Sequence, residues 1–150
     1  MRFSKVLAAY DGSYESKQAL TYAAELSSEG GGKLTVITVV PPVNSPFFPN
    51  VFDISSKASE FSDVTRMRGR YEASLNMTVE DLRGRFPGLE VEPVLGEGNP
   101  GKVIVEEAER RGVDLLVVGS RGLGGVTGWV LGSTSRYVVE NCTKPVLVVK

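Results

Sequence analysis

The run Val113-Asp-Leu-Leu-Val-Val118 holds one charge in six residues and opens directly onto a loop crowded with glycine. Such a run reads as a strand buried on both faces, and strands of that kind belong to parallel sheets with helices packed on either side. Gly119, Gly122, Gly124, Gly125, Gly128 and Gly132 follow it, and a helix is expected from about Ser133 to Asn141. Ordering each of these glycines costs roughly 0.5–1 kcal/mol against alanine, more than a merely connecting loop needs. A strand feeding a glycine-rich loop and then a helix N-terminus suits an anionic phosphate. Glycine lets the backbone approach the ligand, and the helix end presents N–H groups with partial positive charge.

The rest of the chain repeats the alternation. Lys5 to Tyr10 reads as the first strand, ended by Asp11-Gly-Ser13, with Ser13 as N-cap of the next helix. Ala19, Leu20, Ala23 and Ala24 give that helix a narrow face of small residues, and Gly30 is expected as its left-handed cap. Lys33 to Val40 is rich in β-branched residues and reads as the second strand, ended by Pro41-Pro42. Two strands around one helix form a βαβ unit, with parallel pairing and a right-handed crossover.

Residues 41–57 read as a long irregular connection whose Phe47, Phe48 and Phe52 are expected to pack down on the domain, with an exposed partner site as the alternative. Phe61, Val64, Tyr71, Leu75, Val79, Leu82 and Phe86 recur at helical spacing, which predicts a long amphipathic helix ending near Pro87-Gly88. Arg66, Arg68, Arg70, Arg83 and Arg85 read as its solvated face. Leu89 to Leu95 alternates as a third strand, and Pro93 keeps it from a central place because it cannot donate a ladder hydrogen bond. Asn99 and Pro100 open a helix through Arg111, and Gly112 is expected to cap it. Val146 to Val149 supplies the last strand. The pattern predicts one three-layer α/β domain over residues 1–150, with a mainly parallel sheet.

Composition removes several function classes. The chain is 41% hydrophobic and 23% charged, an ordinary soluble balance. A net charge of −1 argues against a broad surface for nucleic acid. The first apolar run, Val6 to Tyr10, is too short for a signal-peptide core or a membrane span, so a cytoplasmic location is expected. The single Cys142 excludes an internal disulfide and a cysteine-cluster metal site, and the sequon at Asn141-Cys-Thr143 reads as chance. There is no histidine. That removes the commonest general base, the Ser–His nucleophile pair and the commonest metal ligand. No catalytic residue and no metal ligand is assigned.

The loop fails two familiar phosphate motifs. It has no lysine, which rejects a P-loop, and Gly122-x-Gly124-x-x-x-Gly128 misses the dinucleotide spacing by one. Gly119-x-x-Gly122, nine further residues and then Gly132-Ser133 resemble the nucleotide loop of the universal stress protein family, in its ATP-binding branch. Asp11-Gly-Ser13, Gly96 with Asn99-Pro100, and Pro145-Val-Leu-Val-Val149 resemble other parts of that family, so the resemblance spans the whole chain.

The resemblance implies a five-stranded parallel sheet in the order 3-2-1-4-5, of the adenine nucleotide alpha hydrolase-like kind, and a homodimer formed through the last strands. It places Asp11 near the ribose or adenine, with Ala9 and Ser13 beside it, and Val39 with its backbone toward adenine. It places Val118, Gly119, Gly122, Gly132, Ser133 and Thr134 around ribose and phosphates. Arg121 stands where relatives often have histidine, and either meets phosphate bidentately or points to solvent. Trp129 is expected to pack the loop or cover a dimer contact. The implied ligand is ATP, with ADP or AMP as alternatives and magnesium as a companion ion. The implied role is a dimeric stress-response regulator switched by nucleotide, with a signalling protein as partner. A slow magnesium-dependent ATPase and a dimeric interaction module without nucleotide are the alternatives.

Overall fold

The computed structural model describes residues 2–42, 57–121 and 131–150, with side chains of the long second helix described from Val64 onward. In chain order the elements are β1 (Lys5–Ala9), α1 (Tyr14–Gly30), β2 (Lys33–Val40), α2 (Lys57–Arg85), β3 (Glu90–Glu97), α3 (Pro100–Arg111), β4 (Leu115–Gly119), α4 (Ser133–Asn141) and β5 (Val146–Val149). The five strands form one parallel sheet in the order β3-β2-β1-β4-β5. Both the alternation and the strand order agree with the sequence reading. Pro93 sits in β3, which among the described residues is an edge strand paired only with β2.

The period of two along each strand sorts the core into two layers. Val6, Ala8, Leu34, Val36, Leu115 and Val117 face α1 and α2. Leu7, Ile37, Leu116 and Val118 face α3 and α4. Small residues bring α1 close, since Ala19, Ala23 and Ala24 are fully buried. On α2 the predicted stripe holds: Leu75, Val79 and Leu82 are each 1% exposed. Its arginines are exposed, as expected, and two of them also reach β3. Arg83 donates to the Val91 carbonyl from Nε and Nη2 at 3.2 and 2.7 Å, and Arg68 pairs with Glu97 at the end of β3. The packing of Phe47, Phe48 and Phe52 and the face of Phe61 lie outside the described residues.

The caps fall as expected with one correction. Ser13 accepts from the Ser16 amide at 3.2 Å, Asn99 accepts from the Lys102 amide at 3.1 Å, and Gly112 ends α3 at φ 59°. The left-handed cap of α1 is Gly31, at φ 64°, and not Gly30. Gly30 is needed for a different reason: a Cβ there would run into the Phe3 carbonyl.

Ion pairs close the amino-terminal end of the sheet. Glu92 meets the Lys33 ammonium at 2.8 Å and the Arg111 guanidinium at 2.5 Å, and accepts from Thr35 at 3.1 Å. A pocket of about 180 Å³ lies among these groups, but its polar atoms satisfy one another, and it is at the opposite end from the strand termini where ligands bind in such sheets. Lys33, then Arg111 and Thr35, hold the Glu92 carboxyl below the usual carboxylate range. A lowered folded value stabilises the protein above the unfolded carboxylate pKa of about 4.3, and that contribution fades as pH falls through the folded value. Glu92→Gln is therefore expected to flatten the loss of stability below about pH 4, read by urea unfolding across pH. An unchanged slope would show that the network carries no acid sensitivity.

Candidate functional site

Strand order reverses at β1, whose neighbours are β2 on one side and β4 on the other. The crevice beyond the carboxyl ends of β1 and β4 is thus the topological switch point, where open α/β sheets take ligands. Ala8 lies opposite Val117 in the register, so Ala9 and Val118 stand together at the floor of this crevice.

The β1 side is built by a tight turn. Tyr10 is held by its amide on the Ile37 carbonyl at 2.9 Å, and its own carbonyl accepts from the Thr38 hydroxyl at 2.8 Å. Asp11 then folds back, with Oδ1 accepting from the Ser13 amide at 2.9 Å. Gly12, at φ 85°, makes the reversal that an L side chain resists. Asp11 therefore orders the turn and the Ser13 cap together.

Val39 lies two residues beyond Ile37, whose carbonyl carries the final rung from the β1 side. Alternate residues of a strand send their peptide groups the same way, so Val39 turns its N–H and C=O toward β1, past the end of that strand. Its register partner on the other side is Gly96. A Cβ on Gly96 would meet Val103 Cγ1 at 2.7 Å, so glycine there lets α3 close on the sheet.

On the β4 side, Ser120 is the anchor. It is 5% exposed; its amide donates to the Val149 carbonyl at 2.7 Å, and its carbonyl accepts from the Gly132 amide at 2.7 Å and the Ser135 hydroxyl at 2.8 Å. These bonds bring the start of α4 back to the end of β4. Gly132 is the N-cap of α4 and has no side chain to cap with. Whereas α1 and α3 have side-chain caps, α4 has none among the described residues, and the first-turn amides of such a helix suit an anionic acceptor. Ser133 is exposed there and Thr134 half-buried. Gly119 lies under α1, where a Cβ would fall 2.9 Å from Glu15 and Ser16 atoms.

The profile of the universal stress protein family matches residues 2–150 of this sequence. The chain belongs to that family. Among curated universal stress proteins, YxiE of Bacillus subtilis strain 168 is 31% identical over 150 residues, covering 99% of each chain. The solved universal stress protein UspA of Lactobacillus plantarum superposes with a TM-score of 0.79 at 22% identity, covering 100% of this chain and 99% of its own. A universal stress protein crystallised in complex with cAMP superposes with a TM-score of 0.61 at 25% identity, covering 99% and 98% of the two chains.

In this universal stress protein, Ala9, Asp11, Ser13, Val39, Val118, Gly119, Gly132, Ser133 and Thr134 all lie at the carboxyl end of the sheet. Gly122 and Trp129 lie outside the described residues. Arg121 has a protein partner to which no sequence signal pointed. Its Nη2 pairs with Glu15 Oε1 at 3.1 Å. Sequence reasoning missed Glu15, because an acid in a helix's first turn reads as a partner for the helix dipole. It also missed Tyr71 as a neighbour of Asp11. Burial first, and the Asp11 charge second, push the Tyr71 hydroxyl above the usual phenol range. Helical spacing assigned Tyr71 to the core, and no local signal showed that α2 passes the mouth of the crevice.

Proposed function

We propose that this universal stress protein binds an adenine nucleotide between the ends of β1 and β4. ATP is the first choice, with ADP or AMP as smaller alternatives and magnesium accompanying the phosphates. The observation that carries the proposal is the start of α4: a helix without a side-chain cap, tied by Ser120 to the end of β4, at the switch point of the sheet. Its first-turn amides and the Ser133 and Thr134 hydroxyls suit phosphate oxygens. The Asp11 turn suits ribose hydroxyls, and the Val39 peptide suits the hydrogen-bonding edge of adenine. The cAMP complex of a relative supports the same ligand class.

The proposed role is a cytoplasmic regulator whose nucleotide state reaches a signalling partner. The outer edge of β5 supports a homodimer, since among the described residues β5 pairs only with β4, and Tyr137 and Val139 on the adjoining α4 are exposed. Mass identification of ligand released from the purified protein, followed by ATP titration with and without magnesium, tests the binding. An adenine nucleotide in the extract, or ATP affinity of about 1 mM or tighter, is expected. Neither being found would remove the proposal. Phosphate release from the same samples is expected to stay near background, and sustained magnesium-dependent release would make the protein a slow ATPase instead.

A further inference from the structure

We propose that Glu15 competes with bound phosphate for Arg121, so that polyphosphate binding exchanges a carboxylate for phosphate oxygens on one guanidinium. This rests on the nucleotide reading of the crevice and names a residue that sets its preference among nucleotides. Glu15 stands on the first turn of α1, between the cap Ser13 and Ser16, and that turn presses on Gly119. Arg121 stands one residue after Ser120, whose carbonyl holds the Gly132 amide at 2.7 Å. The Arg121–Glu15 pair therefore bridges the β1 and β4 walls, next to the helix start that suits phosphate.

The chemistry of the pair makes exchange the natural outcome. A guanidinium fork donates two parallel N–H bonds to carboxylate or to phosphate oxygens in the same bidentate arrangement. The Glu15 side chain is only 16% exposed and Arg121 is 35% exposed, so solvent screens the pair less than a free surface contact. A phosphate arriving at the start of α4 meets the Glu15 charge as well as the Arg121 charge. Repulsion from Glu15 grows with the number of phosphates, while the attraction of Arg121 is already engaged. Glu15 thus weakens ATP more than AMP, and leaves adenosine untouched.

Calorimetric titration of ATP, AMP and adenosine into the unsubstituted protein and Glu15→Gln tests the exchange, with and without magnesium. Glu15→Gln is expected to tighten ATP about fivefold, AMP by less, and adenosine not at all. Thermal unfolding checks the fold of the variant, and Glu15→Ala replaces it if the glutamine protein does not fold. Unchanged or weaker ATP binding by a folded variant overturns the exchange. Weakening confined to magnesium overturns it too, by making Glu15 a contact of the cation. If the unsubstituted protein binds none of the three ligands, the nucleotide reading falls and this inference falls with it.

Discussion

A Gly119→Val protein is expected to bind ATP at least about tenfold more weakly than the unsubstituted chain, a loss of about 1.4 kcal/mol. The cause is steric. A Cβ at Gly119 would lie 2.9 Å from the Glu15 carbonyl carbon, Glu15 Cβ and the Ser16 nitrogen. Two of those atoms are helix backbone and cannot rotate aside. Either the first turn of α1 moves, carrying the Ser13 cap and the Asp11 turn, or the end of β4 moves, carrying Ser120 and its bonds to Val149 and Gly132. Both routes part the walls of the crevice. Overpacking of this kind also costs stability, about 1–3 kcal/mol. Gly88→Ala is the control, because a Cβ there meets nothing within 4 Å, and its effect is expected within about 0.5 kcal/mol. ATP titration and urea unfolding of both variants check this. Normal ATP affinity in a folded Gly119→Val protein would place the phosphates elsewhere.

Leu116→Ala is expected to cost about 3 kcal/mol of unfolding free energy. Leu116 is 0% exposed on an interior strand and packs with Leu7, Ile104 and Val138 between sheet and helices. Removing the side chain forfeits its transfer energy and leaves a cavity that close-packed neighbours fill only in part. The urea midpoint should fall while the slope stays constant. Saturating ATP should then restore about 2.7 kcal/mol at one hundred times its dissociation constant, if it binds the folded state alone. A drop below about 1 kcal/mol would mean that the two helices over this face repack freely.

The fold was legible because its signals are local and redundant. Lys33 to Val40 reads as a strand from its β-branched residues, and Asn99-Pro100 and Gly112 bracket α3 by capping chemistry alone. The cap of α1 was misplaced by one residue because Gly30 and Gly31 are alike in sequence. The second reason for glycine here, the Phe3 carbonyl lying where a Gly30 Cβ would be, comes from a residue nearly thirty positions away. The site followed the same division. Gly119, Gly132 and Ser133 announce a helix start without a side-chain cap, which is a local fact. The Arg121–Glu15 pair and the approach of Tyr71 to Asp11 are tertiary facts, set by how α1 and α2 lie over the strand ends. Ser135 was invisible for the same reason: between Thr134 and Arg136 nothing local marks it as buried or tells that its hydroxyl will reach the Ser120 carbonyl.

The hydrogen bond from the Gly132 amide to the Ser120 carbonyl, 2.7 Å long, is a knot at the neck of a noose. Eleven residues, 121 to 131, leave from and return to the same point of the scaffold. In general, doubling the length of a closed loop adds only about 0.6 kcal/mol to the cost of closing it. The tie thus sets β4, α4 and β5 relative to one another through residues that lie outside the enclosed segment. A change in the number of residues between Arg121 and Leu131 is expected to leave that framework standing.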